Sequence, residues 1–337
     1  MAINLASKYS DQIAEVFTRA SFIKGKTAET FDLTGVKTLK VYTPITVEEV
    51  DYGDVAEMQD VVQELTMTQD KAFTLTIDKG NNLDQNLVKN AADMLRLQLN
   101  EKSTPAADKY AFRRFVTMAG TIAESAVKPT KADIISKIAD ASQALDDALV
   151  PDDNRYLYLT SEMYKLVCTS DEFAGVDVLA RQSIAKGVCG EVFGMHVVRV
   201  PKSYLPEDVY FLVAHKDAVL MPYKIADAKV HEDPVGVSGA LIEGRHYYDA
   251  YVLGAKCGGV YALVAADTVS DAPVVASGKI TAGSGAAIRY TLDGSDPRYS
   301  DSAKDYIADT ALTADEGCQI RAYAVETGKY PSPVAAG

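Results

Sequence analysis

Apolar positions along the chain change period several times, and each change marks an element. Phe31 to Tyr42 (FDLTGVKTLKVY) and Val61 to Ile77 (VVQELTMTQDKAFTLTI) are rich in Val, Thr, Leu and aromatic residues. They alternate at Leu65 and Met67 and again at Phe73, Leu75 and Ile77, which predicts two strands. Between them, Val47 to Asp60 carries Glu48, Glu49, Asp51, Asp54, Glu57 and Asp60 without one base. An isolated hairpin is marginal in water. Ordering about fourteen residues of tip costs on the order of 14–28 kcal/mol of backbone entropy. At roughly 25 cal/mol per Å², that requires several hundred to about 1,100 Å² of apolar burial. The tip does not contain it. Either the tip stays unordered or it orders against another copy of the chain, and those six acids are read as an intersubunit contact.

Helical spacing follows. Asp78-Lys79-Gly80-Asn81-Asn82 is a turn, and Leu83, Leu87, Ala91, Leu95 and Leu99 predict a long helix over 83–101. Ser103-Thr104-Pro105 supplies an N-cap hydroxyl and a proline at the first helical position, ahead of Ala111, Phe112, Phe115, Val116 and Ala119, so a second helix either starts here or continues the first with a kink. Thr130 with Asp133 resembles a capping box before Ile134, Ile138, Ala141, Leu145 and Leu149. Arg155 to Leu159 predicts a short strand, and Thr160-Ser161-Glu162 caps another helix. From Gly187 the runs GMHVVRV, VYFLVA, AVLMPY and YVLGAKCGGVYAL predict strands, giving an α+β domain. Near Ala265 to Ser277 small residues mark a boundary. Val274-Val275, Ile288 to Leu292 and Gln319 to Ala324 then predict a small separate β-sandwich.

Composition narrows the function. The 337 residues are 47% hydrophobic and 24% charged, enough for a sizeable core in one large or two ordinary domains. A net charge of −13 argues against a protein that grips nucleic acid through its phosphates. The basic pairs Arg113-Arg114 and Lys128/Lys131 are short and read as solvated helix faces. Met1 to Ala20 lacks the apolar run of a secretory signal and reads as an amphipathic helix, and no stretch is long and apolar enough to predict a membrane span. Cys168, Cys189, Cys257 and Cys318 are far apart, which suits reduced thiols in a reducing cytoplasm.

Candidate chemistry is sparse. His196, His215, His231 and His246 show no ligand spacing, and His231-Glu232-Asp233-Pro234 lacks the second histidine of a zinc-protease helix. Gly187, Gly190 and Gly194, and Gly283-Ser284-Gly285, fit no nucleotide-binding signature. Asp146, Asp147, Asp152 and Asp153 do not match a calcium loop. No catalytic residue, metal or cofactor is expected, and the chain is not read as an enzyme.

The order of elements resembles the major capsid protein of tailed bacteriophages of the Hong Kong 97 type. The residues carrying this likeness are MAINLASKYSDQIAEVFTRAS, FDLTGVKTLKVY and VVQELTMTQDKAFTLTIDKGNNLDQ, within residues 1 to about 266. The resemblance implies an N-terminal arm (1–30), an extended β-hairpin loop (31–82) lying over a neighbouring subunit, and a spine helix with a mixed α/β capsid core (83–266). A central domain meeting neighbours around symmetry axes would fall between about 121 and 230. It further implies pentamers and hexamers enclosing double-stranded DNA without sequence-specific binding, a separate scaffolding protein, a portal protein as partner, assembly in the bacterial host cytoplasm and residence in the virion capsid.

The C-terminal stretch has its own likeness. Ile288-Arg289-Tyr290-Thr291-Leu292-Asp293-Gly294-Ser295-Asp296-Pro297, with Ile320 to Ala324 and Ser332, resembles the immunoglobulin-like module at the C-terminus of chitobiase-type glycosidases, where it is an accessory. Asp293-Gly294 provides a turn and Asp296-Pro297 stiffens the loop after it. The expectation is therefore an α+β Hong Kong 97-type phage capsid fold with a C-terminal immunoglobulin-like β-sandwich (267–337). That sandwich would be an outward-facing decoration whose removal spares assembly. The rival reading is a carbohydrate-binding or cell-surface adhesion protein, with Tyr290, Tyr299, Tyr306 and Tyr323 as a surface platform for a host glycan. The absence of Trp and of a signal sequence weighs against it.

Overall fold

The computed structural model describes residues 21–28, 38–45, 59–80, 91–170, 190–236, 238–308, 310–315 and 318–337. In chain order, strands β1 (Thr38–Ile45), β2 (Gln59–Thr66) and β3 (Gln69–Asp78) precede helix α1 (Ala91–Gln98), which runs through a wide turn at Leu99–Ser103 into α2 (Thr104–Thr117). Next come β4 (Thr121–Ser125), α3 (Ile134–Asp147), β5 (Arg155–Thr160), α4 (Ser161–Thr169), β6 (Glu191–Val192), β7 (Met195–Val200) and β8 (Val209–His215). Then follow β9 (Val219–Leu220), β10 (Tyr223–Glu232), β11 (Gly239–Tyr248), β12 (Tyr251–Val252) and β13 (Val260–Ala265). The C-terminal strands are β14 (Val274–Ala276), β15 (Lys279–Thr281), β16 (Ala287–Thr291), β17 (Lys304–Asp305), β18 (Arg321–Val325) and β19 (Ala335–Ala336).

The chain forms two compact units. The smaller contains 67–108 and 222–249, and its frame is the antiparallel sheet β10-β11-β3. Phe73 faces Gly244 in the register, where an added Cβ would sit 2.3 Å from the Phe73 ring. Glycine is therefore required for that ring to lie across the strand. Asp70 and Arg245 form a two-pronged pair at 2.6 and 2.9 Å on the same strands. Ser21 Oγ and the Phe22 amide both donate to the buried Asp108 carboxylate, at 2.6 and 2.8 Å.

The larger unit is built on the sheet β4-β13-β8-β5-β7-β6. Its central strands are buried on both faces, so their sequences read as continuous apolar runs. Leu157 and Leu159 of β5 pack with Ile134, Ile138 and Leu145 of α3 and with Met163 and Val167 of α4. The intervening Tyr158 meets Phe112 of α2 edge-on, ring centroids 5.1 Å apart, so α2 lies on the opposite face. Arg155, at 2% exposure, donates to the Pro151 and Val150 carbonyls and pairs with Asp146 and Asp152. The acidic turn after α3 is thus folded around one buried guanidinium. The C-terminal strands form a pair, β14-β15, and a four-stranded sheet, β17-β16-β18-β19, closing on Ile280, Tyr290, Ile320 and Ala322 as a β-sandwich.

Two local expectations differ from what is observed. The single strand expected over Val61 to Ile77 is two strands, β2 and β3, in different sheets. The break lies at Met67-Thr68, where Thr68 donates its amide and hydroxyl to Asp249, both at 2.8 Å, and the Met67 carbonyl accepts from the Tyr247 hydroxyl. Alternation continues through such a break, so periodicity does not reveal it. Of the two readings at Ser103-Thr104-Pro105, the second helix continues the first, and Thr104 does not cap a new one. The Thr104 amide donates to the Leu99 carbonyl, a π-type turn that carries the chain past Pro105, whose missing N–H would otherwise interrupt the ladder. The Thr160 cap is present, accepting from the Met163 amide at 3.3 Å. The start of the long helix, 83–90, and most of the expected arm lie outside the described residues.

Leu157 is fully buried between α3 and the sheet. Leu157→Ala is expected to lower unfolding free energy by about 2–5 kcal/mol, read from urea denaturation of the purified chain.

Candidate intersubunit surface

β1 and β2 pair antiparallel from Thr38↔Thr66 to Ile45↔Gln59 and, among the described residues, join no further strand. Their polarity is graded along the ribbon. At the root, Leu65 is buried with Leu220, Tyr251 and Leu253, and Leu39, Val41 and Ala28 pack against that cluster. Toward the far end Tyr42 is 63% exposed and Pro44 and Asp60 are exposed. Among the described residues, the apolar packing of this ribbon lies near its root, and an isolated two-stranded ribbon is marginal by itself.

Gln63 fixes the root. At 6% exposure, its side-chain nitrogen donates to the Val252 carbonyl at 2.9 Å and its oxygen accepts from the Gly254 amide at 2.8 Å. Both ends of the amide are satisfied by backbone, which makes the position intolerant of an apolar replacement. Sequence reading missed it, although a signal was present. Gln63 is in phase with Leu65 and Met67, so a polar residue stands on the face that periodicity assigns to the core.

Of the six tip acids, Asp60 lies on β2 opposite Pro44, while Glu48, Glu49, Asp51, Asp54 and Glu57 lie outside the described residues. The four tyrosines do not make one exposed platform, and that expectation is corrected here. Tyr290, 9% exposed, packs edge-on to Tyr306 in the sandwich core, centroids 5.9 Å apart. The Tyr306 hydroxyl is taken up by the Thr310 carbonyl at 2.9 Å. Tyr299 is 6% exposed and donates to the Met118 carbonyl at 2.7 Å, and Tyr323 is half-buried on β18 opposite Arg289. Alternating strand positions place aromatic rings inward as readily as outward, and in a module this small the core needs them.

The histidines stand on β7, β8, β10 and β11. His196 pairs with Glu191 at 3.0 Å, His231 with Glu243 at 3.3 Å, and His246 stacks on Phe73. Among the described residues no three His, Cys, Asp or Glu side chains group as metal ligands. In the sandwich, burial works against the charge of Asp293. Hydrogen bonds from the Ser295 amide and hydroxyl and from Ser302 outweigh it and hold the carboxyl below its usual range.

Comparison with known proteins supports this architecture from two sides. Residues 279–337 match the family described as Fn3 associated. No curated protein matches the chain in sequence. In structure the chain is similar to a protein of Mycobacterium phage Che8, with a TM-score of 0.64 at 16% identity, covering 78% of this chain and 98% of that one. It is similar to a chain of the capsid of Cyanophage P-SCSP1u, TM-score 0.63 at 14% identity over 78% and 93% of the two chains. A third is from the mature capsid of bacteriophage PhiM1, TM-score 0.61 at 11% identity over 79% and 93%. The chain has the α+β fold found in phage capsids, with an added C-terminal β-sandwich.

Gln63→Leu strands two backbone groups and is expected to cost on the order of 2–4 kcal/mol in denaturant melts, whereas Glu64→Leu at an exposed position of the same strand costs much less. Because the folded-state pKa of Asp293 is depressed, its stabilising contribution is complete above the unfolded carboxyl value and is lost as pH falls through the lower folded value. Thermal melts from pH 5 down to 2.5 should show a sandwich transition that falls less steeply in Asp293→Asn than in the parent.

Proposed function

We propose that the protein is the structural subunit of a tailed-phage head, a major capsid protein of the Hong Kong 97 type, and not an enzyme. The observation that carries this reading is the structural likeness to phage capsid chains, which spans 93–99% of those chains in three phages. A second supports it: the β1–β2 ribbon is anchored at its root and open beyond it, the form of a part that is completed by a neighbour. In this reading residues 31–82 are the extended loop, its acids Glu48, Glu49, Asp51, Asp54, Glu57 and Asp60 meet another copy, and 83–266 form the spine and core.

The subunits assemble as pentamers and hexamers around packaged double-stranded DNA, with a separate scaffolding protein and a portal protein as partners, in the host cytoplasm. The net charge of −13 suits a wall that must release DNA. The module at 267–337, which we take to be akin to the chitobiase-type accessory domain, adds about a fifth to a chain whose likeness to the Che8 protein already covers 98% of that protein. A glycan-binding role for it is the weaker reading, because two of its four candidate rings are buried.

Purified wild-type protein, with or without scaffold, is expected to form capsomers or shells in negative-stain images, and a persistent monomer at high concentration overturns the proposal. Replacing residues 46–58 by Asn-Gly, a turn suited to the Ile45↔Gln59 register, should leave circular dichroism and melting unchanged while abolishing shells.

A further inference from the structure

The sandwich is tied to the rest of its unit by more than its linker. At the linker, the Thr268 and Val269 amides both donate to the Glu124 carboxylate, at 2.9 and 2.8 Å. The more informative attachment is the loop Asp293–Asp301. Arg298 is folded onto Asp296 through Nε and a terminal nitrogen, at 3.1 and 2.8 Å, and its other terminal nitrogen reaches the Ala119 and Gly120 carbonyls at 3.3 and 3.1 Å. The neighbouring Tyr299 hydroxyl takes the Met118 carbonyl. Three successive carbonyls of the turn ending α2 therefore receive donors from one loop, one of them cationic where the helix dipole is negative. Burial works against the Arg298 charge, and the Asp296 hydrogen bonds outweigh it, so the guanidinium is held firmly protonated.

The same loop reaches the hairpin. The Asp301 amide donates to the Val62 carbonyl at 2.9 Å, and the Asp301 carboxylate lies 3.6 Å from Lys40 Nζ. Val62 and Lys40 belong to the two strands of the ribbon, next to Gln63. Gly254, whose amide Gln63 accepts, has room for no side chain, because an added Cβ would stand 2.6 Å from Tyr299 Cβ. Gln63 and Tyr299 thus close on the same glycine from two sides. The end of α2, the ribbon root and the sandwich loop form one cluster joined by part-buried hydrogen bonds and one exposed ion pair.

We propose that the loop Asp293–Asp301 is a brace that sets the direction in which the β1–β2 ribbon leaves its unit, so that the C-terminal module is an assembly element and not a removable ornament. The first half stands on this cluster alone, while the second rests on the capsid reading above. Ribbons grip a neighbour far from their root, where a small angular error at the root becomes a large displacement, so bracing the root is the economical place to control fit. Arg298, Tyr299 and Lys40 are the positioning residues.

The test uses the full-length chain carrying Arg298→Met, Tyr299→Phe and Lys40→Met together. Hydrogen exchange of the unassembled subunit is followed by mass spectrometry, and assembly by electron microscopy. Peptides covering 38–45 and 59–66 are expected to exchange at least tenfold faster than wild type, while peptides from β16 and β18 keep their protection, and shells become malformed or absent. Unchanged exchange in the ribbon overturns the brace. Faster exchange with normal shells overturns its role in assembly. Should the triple variant lose protection in β16 and β18, Tyr299→Phe alone decides, with the same two readings. If wild type forms no shells under any condition, the capsid reading fails, and the exchange data still decide whether the brace exists.

Discussion

A two-stranded ribbon has no neighbouring sheet to lean on, and that constraint organises much of the larger unit. Among the described residues β1 and β2 pair as strands with each other alone, and the contacts that restrain them lie at the root. Three kinds of contact converge there. Leu65 sits in an apolar cluster with Leu220, Tyr251 and Leu253, Gln63 satisfies two backbone groups of the Val252–Gly254 segment, and the Val62 carbonyl accepts from the sandwich loop.

The root packs on the β9-β12 pair, and the main frame of the same unit is the six-stranded sheet, covered by α3 and α4 on one face and α2 on the other. Burial on both faces makes its strands tolerant of apolar exchange so long as volume is kept. This explains how the architecture is retained among phage chains at 11–16% identity. Where single residues are dictated, the reason is backbone proximity. Gly120 would place a Cβ 2.2 Å from the Cys257 carbonyl, and Gly254 would meet Tyr299.

Asp293–Asp301 shows how one loop serves two ends. Two of its three acids are engaged locally, Asp293 by Ser295 and Ser302 and Asp296 by Arg298, which helps to fix the shape of the loop, while Asp301 faces Lys40. Gly294 at φ +73° supplies the turn, as expected for Asp-Gly. A pre-shaped loop loses less freedom on docking, which favours its use as a joint.

Much of this was legible in the chain. The strands at 155–160, 195–200, 209–215 and 260–265 are apolar runs with turn residues at their ends, the Thr160 cap is a local hydrogen bond, and the α+β class follows from their order. These features depend on neighbours a few residues apart, so sequence alone determines them. The break at Met67-Thr68, the inward turn of Tyr290 and Tyr299, and the double role of Gln63 were decided by tertiary structure. Each depends on a partner distant in the chain, Asp249 for Thr68, Met118 for Tyr299 and Gly254 for Gln63. Periodicity states which face a residue occupies; only the folded chain decides what that face meets.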